Sequence, residues 1–211
     1  MNSDYNIPTW DDYFLNIAKV VSTRSKDPNT KVGAVIVDRN NKIIGTGYNG
    51  MPTGIPSSEI YWERDNENPI ENKYMYVVHA EANAIINSLA PTNGNKLYVT
   101  DFPCNECAKL IIQSGITDVY YLRNKYPDSD STKVSKKILE ASNIKIHHIH
   151  LNNTFYVAYK DINTDIEYDG TIIYAKDKEE AKRIFIKDKN IPVTSNNNNF
   201  EIVITIEDEQ K

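Results

Sequence analysis

Residues 96–122 read KLYVTDFPCNECAKLIIQSGITDVYYL, and they set the topology of the chain. Lys96–Thr100 and Asp118–Leu122 have the length and composition of buried strands, whereas Cys104–Ser114 has the apolar spacing of a helix that Gly115 ends. Neighbouring parallel strands need a long connection such as a helix, and that connection is almost always right-handed. The stretch is therefore predicted to form a strand, a crossover helix and a second strand parallel to the first.

The segments on either side extend this unit into an α/β fold. Their apolar spacing predicts helices at Trp10–Arg24, His79–Leu89 and Lys133–Ala141, hairpin strands at Val32–Val37 and Lys42–Gly47, and a last strand at Ile144–Ile149. Together these elements predict a mixed five-stranded sheet flanked by helices. Ligands of such sheets bind beyond the carboxyl ends of the strands, which here means the loops after Thr100 and Leu122.

The last part of the chain has a different pattern. A hairpin at Thr154–Tyr159 and Ile166–Ala175, a charged helix at Lys178–Lys189 and a strand at Phe200–Ile206 predict a small β-β-α-β appendage. Ser195–Asn199 is a polar run that cannot bury surface, so we expect a flexible loop there. We therefore expect a main domain over residues 1–150 and a C-terminal extension of unknown role over residues 151–211.

Two short motifs carry the chemistry. His79 and Glu81 stand two residues apart, and Cys104 and Cys107 follow Pro103 in a Pro-Cys-x-x-Cys run. Structural zinc usually takes four protein ligands, whereas catalytic zinc takes three and leaves one position for a water whose pKa falls to about 7. With His79, Cys104 and Cys107 as ligands, Glu81 is free to move protons. The H-x-E…P-C-x-x-C pattern is that of the zinc deaminases.

Other interpretations of these residues are weaker. A lone Cys-x-x-Cys can be a redox pair, but that interpretation leaves His79 and Glu81 unexplained. Three histidines near the end of the predicted sheet, His147, His148 and His150, also suggest a metal site. Strand alternation places His147 on one face and the other two on the opposite face, so we interpret them as a polar strand end.

Composition limits the possible partners and location. The chain has 24 basic and 29 acidic residues and a formal charge of −5, which argues against binding a nucleic acid polymer through its phosphates. Its N-terminus has no basic start and no apolar run, and no stretch of about 18 apolar residues predicts a membrane span. Both cysteines lie at ligand spacing, as expected in a reducing compartment. We therefore expect a cytoplasmic protein that acts on a small molecule.

Beyond the metal motif, the chain resembles the deoxycytidylate (dCMP) deaminase family over about two-thirds of its length. The resemblance implies a three-layer cytidine-deaminase-like fold and the hydrolysis of dCMP to dUMP and ammonia in pyrimidine deoxynucleotide metabolism. It also implies a homo-oligomer, commonly a hexamer, that dCTP with Mg²⁺ activates and dTTP inhibits. The stretches that carry it are Arg24–Pro28, Val32–Val37, Gly47–Pro52, His79–Ile85, Phe102–Gly115 and Lys125–Asp130.

The resemblance also assigns site residues. It implies one zinc per chain, bound by His79, Cys104 and Cys107, with Glu81 as the proton shuttle. For the substrate it implies Asn49 at the sugar, the Ala80 backbone at the pyrimidine, and Arg24, Lys125 and Tyr126 at the phosphate. For the effector nucleotide it implies Gly47, Tyr48, Asn49 and Gly50. Arg24 and Lys125 can alternatively be ordinary solvated cations. Some relatives bind a second zinc after the Gly-Tyr-Asn-Gly segment, but residues 51–76 contain neither His nor Cys. We therefore expect no second zinc of that kind.

Three rival functions remain open at this point. A deaminase of the same fold could act on dCTP, alone or together with dCMP, because the expected effector site already recognises that nucleotide. Free cytidine, guanine and adenosine in RNA are further substrates of this fold, but the acidic charge and the dCMP-like stretches disfavour them. A zinc-bearing nucleotide sensor without catalysis is the third, and Glu81 argues against it because a sensor needs no proton shuttle.

Overall fold

Two compact units make up the part of the chain that the structure describes. The structure is a computed structural model, and it describes residues 7–56, 62–63, 67–189 and 200–206. One unit is Tyr13–His150, and the other is Leu151–Lys211 together with Met1–Asp12. Whether 1–150 and 151–211 are independent domains stays a prediction.

The unit Tyr13–His150 contains the predicted mixed sheet. Within the described residues its strands are β1 (Gly33–Val37), β2 (Ile43–Tyr48), β3 (Lys96–Asp101), β4 (Asp118–Arg123) and β5 (Lys145–His148). They lie in the order β2-β1-β3-β4-β5. β1 pairs antiparallel with both β2 and β3, whereas β3, β4 and β5 are parallel neighbours. The predicted hairpin and the predicted parallel crossovers are confirmed.

Helices cover both faces of this sheet, which confirms the three-layer arrangement. They are α1 (Trp10–Ser22), α2 (Ala80–Ile86), α3 (Asn105–Gln113) and α4 (Asp130–Ala141). On one face, Phe14 of α1 packs against Tyr98 of β3, with 5.1 Å between the ring centroids. On the other face, Ala84, Ile111 and Leu139 of the remaining helices form a fully buried core with the opposite side of the strands. Burial of these apolar side chains is the main term that stabilises the unit.

The two largest differences between predicted and observed helix ends are three residues each, and each has a local reason. α4 begins at Asp130 and not at Lys133, because the Ser129 side chain accepts a hydrogen bond from the Thr132 N–H and caps the helix earlier. α2 ends at Ile86 and not at Leu89, because the Leu89 N–H leaves the helix and donates to the Ile44 carbonyl of β2 at 2.8 Å.

The described part of the segment between β2 and α2 has little regular structure. Its described part contains two single 3₁₀ turns, Pro69–Glu71 and Lys73–Met75. The Asn72 side chain caps the second turn by accepting a hydrogen bond from the Tyr74 N–H. After this turn Gly50 and Val78 form an isolated antiparallel bridge, which brings the chain back beside the end of β2.

The second unit is the predicted β-β-α-β arrangement. Its described elements are β6 (Asn153–Asp161), β7 (Glu167–Ala175), α5 (Lys178–Asp188) and β8 (Phe200–Ile206). The strands form an antiparallel sheet in the order β7-β6-β8. Phe155, Ile173 and Phe185 are buried in a core of its own. The expected loop Ser195–Asn199 lies outside the described residues, and no described helix is long and apolar enough to cross a membrane.

Candidate active site and metal centre

His79, Cys104 and Cys107 meet where two helices begin. His79 is the N-cap residue of α2, and Cys104 is the N-cap residue of α3. Cys107 lies in the first turn of α3, and its N–H donates to the Cys104 sulfur at 3.5 Å. The His79 Nδ1 atom lies 3.3 Å from the sulfur of each cysteine. Within the described residues this is the one His, Cys, Asp and Glu group whose ligand atoms could hold a metal ion.

The geometry of the three donors fits zinc. Bonds of about 2.0 Å to nitrogen and about 2.3 Å to sulfur, at a tetrahedral angle, place the two ligand atoms about 3.5 Å apart. The two Nδ1–Sγ distances of 3.3 Å are close to that separation. An imidazole with two thiolates is also a donor set that suits zinc among the divalent cations. With three protein donors, the fourth tetrahedral position is open to water or substrate.

The pKa values of the three groups depend on one another through shared hydrogen bonds. A hydrogen bond from the Cys107 thiol, helped by His79 and opposed by burial, lowers the pKa of Cys104 to about 4. The hydrogen bond to Cys104 in turn raises the pKa of His79 to about 9, and the bond that Cys107 makes to Cys104 raises the pKa of Cys107. A metal ligand must be deprotonated, so a divalent cation would displace the protons of His79 and Cys107.

Glu81 stands beside this cluster as a buried carboxyl. It lies in the first turn of α2, and the residue is 4% exposed. Burial raises the pKa of Glu81, while the charge of His79 acts in the opposite direction. A carboxyl with a raised pKa holds a proton more readily than an ordinary carboxyl group does, which suits a group that accepts and returns protons.

A cavity of about 260 Å³ has His79, Cys104 and Glu81 in its wall. This volume is just below the usual range for small-ligand pockets, which begins at about 300 Å³. The lining includes Asp101 at the end of β3, Phe102 just after it, and Asn124 and Lys125 after β4. The cavity therefore lies at the carboxyl ends of the parallel strands. This is the edge at which the sequence predicts the site.

The predicted substrate residues divide into two groups. Asn49, Ala80, Lys125 and Tyr126 line the cavity. Lys125 is exposed, its Nζ atom donates to the Thr30 hydroxyl at 3.2 Å, and it lies 5.5 Å from the Tyr126 ring centroid. Arg24 is exposed just after α1 and is not among the described residues that line the cavity. A role for Arg24 at a phosphate stays a prediction.

The predicted effector segment lies at the end of β2, and its residues have clear packing roles. A Cβ atom on Gly47 would lie 2.2 Å from the Ala80 carbonyl oxygen, so β2 and α2 can approach this closely only with glycine there. The Tyr48 carbonyl accepts a hydrogen bond from Asn83 of α2 at 2.8 Å. Gly50 bridges to Val78. Of the segment, Asn49 lines the cavity. Effector binding by these residues stays a prediction.

Several cavity residues were not predicted from the sequence. Asp27 and Lys73 line the cavity and form a buried ion pair. Asp27 lies within the family-like stretch Arg24–Pro28, which is the signal that could have identified it. Lys73 is a lysine in an irregular segment, which gives no signal. Ser129, Ser131 and Thr132 at the start of α4 also line the cavity.

The three histidines near β5 lie on opposite faces of the sheet, as strand alternation predicts. His147 stacks on Tyr120, with 4.3 Å between ring centroids, whereas His148 stacks on Tyr121 at 4.7 Å. His148 and His150 are neighbours at 4.5 Å. In the described part of the chain these three do not form a metal-binding group.

Comparison with known proteins defines the class to which this site belongs. A sequence model of the cytidine and deoxycytidylate deaminase zinc-binding region matches residues 8–123. The chain therefore belongs to the cytidine and deoxycytidylate deaminase family. The resemblance found in the motifs is confirmed, and with it the prediction that the chain is an enzyme of the deaminase class.

Individual members of this class that are similar to the chain are named as deoxycytidylate, or dCMP, deaminases. Deoxycytidylate deaminase of Homo sapiens is 47% identical over 136 residues, which cover 64% of this chain and 76% of the relative. A probable deoxycytidylate deaminase of Caenorhabditis elegans is 48% identical over 145 residues, covering 68% of this chain and 72% of the relative. The crystal structure of dCMP deaminase from the cyanophage S-TIM5 in complex with dCMP and dUMP is 28% identical, covers 71% of this chain and 99% of its own, and has a TM-score of 0.53.

Proposed function

We propose that the chain hydrolyses dCMP to dUMP and ammonia. The observation that carries this proposal is that His79 and Cys104 of the metal cluster line one small cavity together with the buried Glu81 carboxyl. Relatives named as deoxycytidylate deaminases, and the S-TIM5 enzyme in complex with dCMP and dUMP, support the choice of substrate.

Zinc is the metal that we propose for the cluster. His79, Cys104 and Cys107 would hold one zinc ion per chain, as the chemistry and spacing of these donors indicate. When bound, zinc supplies Lewis-acid activation of the attacking water. Cys104 is the N-cap residue of α3, where its sulfur accepts the Cys107 N–H and the helix dipole favours a thiolate, which is the form that binds a metal.

Glu81 moves the protons of the reaction. As a base its carboxylate takes the proton from the attacking water, and it passes this proton to the ring nitrogen next to the reacting carbon. Glu81 next takes the proton of the hydroxyl group that is now bonded to the reacting carbon and gives it to the amino group. The carbon–nitrogen bond then breaks, ammonia leaves, and the carbonyl of dUMP remains. Burial of Glu81 favours the protonated state that the second half of this cycle needs.

Other cavity residues recognise the pyrimidine, the sugar and the phosphate of the nucleotide. We assign the Ala80 backbone to the pyrimidine and Asn49 to the sugar. For the phosphate we assign Lys125 and Tyr126, and we add the start of α4 because helix N-termini favour anions. In a chain of net charge −5, local positive charge of this kind is needed to hold a phosphate monoester.

Regulation and assembly are proposed on the family resemblance alone. Activation by dCTP with Mg²⁺, inhibition by dTTP, a hexameric homo-oligomer and a place in pyrimidine deoxynucleotide synthesis all follow from it. The effector residues Gly47, Tyr48, Asn49 and Gly50 are part of the same proposal. A cytoplasmic location stays a prediction of the sequence.

The test is the rate of deamination of dCMP, deoxycytidine and dCTP by the purified protein. We expect kcat/KM to be highest for dCMP and at least about 100-fold lower for deoxycytidine, because a site built for a phosphate leaves polar groups unpaired without it. Ammonia release and loss of cytosine absorbance measure the reaction. Equal rates on dCMP and deoxycytidine would contradict the phosphate site, and a higher rate on dCTP would favour the triphosphate alternative.

A further inference from the structure

A buried ion pair that is not part of the metal cluster lies in the cavity wall. The side chains of Lys73 and Asp27 are 4% and 1% exposed, and the Lys73 Nζ atom donates to Asp27 Oδ2. Lys73 belongs to the 3₁₀ turn before α2, whereas Asp27 belongs to the loop between α1 and β1. The pair therefore joins two irregular segments that are 46 residues apart in the chain.

Each carboxylate oxygen of Asp27 accepts two hydrogen bonds. Its Oδ1 atom accepts from the N–H groups of Asn29 at 2.8 Å and Thr30 at 3.2 Å. Its Oδ2 atom accepts from Lys73 and from the Asn49 amide at 3.2 Å. Burial by itself raises the pKa of Asp27, but the bonds from Lys73, Asn29 and Thr30 outweigh it and lower the pKa. Asp27 is therefore an ionised acceptor that Lys73 stabilises.

Asn49 is held by this acceptor in one orientation. Its Nδ2 group donates to Asp27 Oδ2 and also to the Thr30 carbonyl at 2.9 Å. Its Oδ1 atom accepts from the Val32 N–H at 2.8 Å. Both amide hydrogens are thus in use, and rotating the amide would place donors against the donor of Val32 and an acceptor against Asp27. What Asn49 can offer to the cavity is the second lone pair of Oδ1.

An oxygen lone pair recognises a hydroxyl donor. The sugar of dCMP carries one hydroxyl, the 3′-OH, because the 5′ position is esterified. We propose that Lys73 and Asp27 are positioning residues that fix Asn49 as the acceptor for this hydroxyl. Lys73 keeps Asp27 ionised, Asp27 holds the Asn49 amide, and Asn49 binds the sugar. This inference rests on dCMP as the substrate and on Asn49 at the sugar, as proposed above.

The test compares dCMP with 2′,3′-dideoxycytidine 5′-monophosphate, which lacks the 3′-OH. We expect the wild-type protein to prefer dCMP by about tenfold in kcat/KM, the value of one hydrogen bond. Lys73→Met, Asp27→Asn and Asn49→Ala should each lose most of this preference, with the loss on dCMP mainly in KM. Their kcat/KM on the dideoxy nucleotide should stay within a few-fold of wild type. Lys73→Arg, which keeps the charge, should restore much of the preference.

The test includes one control variant and one substitute variant. Lys109→Met removes a lysine from an exposed pair with Glu106 and should leave the preference unchanged. If Lys73→Met does not fold, Lys73→Gln keeps a donor without the charge and carries the same expectation. Equal losses of Lys73 and Asp27 variants on both nucleotides would overturn the positioning role and leave a purely structural pair. A wild-type protein that does not deaminate dCMP would instead overturn the proposed function.

Discussion

Glu81 and the three proposed metal ligands all lie at the starts of two helices. His79 and Glu81 belong to the start of α2, and Cys104 and Cys107 to the start of α3. The backbone of a helix start is rigid once the helix is packed, so the distances among these groups are set by how α2 and α3 pack on the sheet. Glu81 is the group with no ligand role in this arrangement, which leaves its carboxyl available for protons.

Substitution of Glu81 by Gln separates binding from proton transfer. An amide fits the same space but cannot exchange protons, so we expect Glu81→Gln to retain zinc and bind dCMP while kcat falls by about 10²–10⁴-fold. Metal analysis, binding of dCMP at equilibrium and steady-state rates measure the three quantities. Glu106→Gln, an exposed glutamate on α3, is the matched control and should keep near wild-type turnover. Wild-type kcat in Glu81→Gln would mean that another group moves the proton.

The sequence predicts some site residues and not others for a physical reason. His79, Glu81, Cys104 and Cys107 lie in two short motifs whose spacing follows from helix geometry and zinc coordination. Lys73 acquires its role from Asp27, a partner 46 residues away, through a segment with no periodic pattern. Spacing within a sequence cannot predict such a pair, because its geometry depends on how two loops fold against each other.

The contact between β2 and α2 determines where the start of α2 lies. A Cβ on Gly47 would lie 2.2 Å from Ala80 O and from Ala84 N, and a Cβ on Gly45 would lie 2.6 Å from Ala84 O. These are backbone atoms, so the helix itself would have to move. Because Ala80 stands between His79 and Glu81, a shift of α2 moves a metal ligand and the proton shuttle together.

Gly47→Ala should therefore lower both stability and activity. Overpacking of this kind costs about 1–3 kcal/mol of unfolding free energy, and the displaced helix should reduce zinc content and turnover. Gly50→Ala is the matched control from the same segment, because its Cβ would meet only a ring carbon of Tyr48 at 3.9 Å. Thermal unfolding, metal analysis and rates without dCTP distinguish the two variants. Equal behaviour of the variants would mean that close packing at Gly47 does not set the position of α2.

Strands of this fold were predictable to within a few residues, and helix ends less so. Apolar runs bounded by turn residues define a buried strand directly, and β8 matches its predicted range of Phe200–Ile206. The ends of α2 and α4 depend on single hydrogen bonds, one from Leu89 to β2 and one at the Ser129 side chain. Such bonds depend on tertiary contacts or on capping geometry, which periodicity does not report.

The proposed chemistry and the C-terminal unit occupy separate parts of the chain. Every described residue that lines the cavity lies between Asp27 and Thr132, within the unit Tyr13–His150. The other unit has its own core around Phe155 and Phe185. A unit of this size is marginally stable by itself. We propose that it contributes to stability or assembly and not to the chemistry.

Ending the chain after His150 tests this interpretation. We expect the shortened protein to retain zinc and much of its activity on dCMP, because no cavity residue in the described part of the chain is removed. Its melting temperature should fall by several degrees or its oligomer should change in size, since burial lost with the second unit is not replaced. Differential scanning calorimetry and light scattering measure these changes. A shortened protein with full stability and assembly but no turnover would assign the second unit to the active site.

Metal binding at the starts of α2 and α3 would also affect how long the protein survives in the cell. A cation held by His79, Cys104 and Cys107 closes a loop of chain that includes β3, and so acts as a cross-link on the folded state only. The stability gained in this way grows with the concentration of free metal. Proteases remove chains mainly through their unfolded forms. Zinc supply would therefore control how long each molecule survives, in addition to whether it can react.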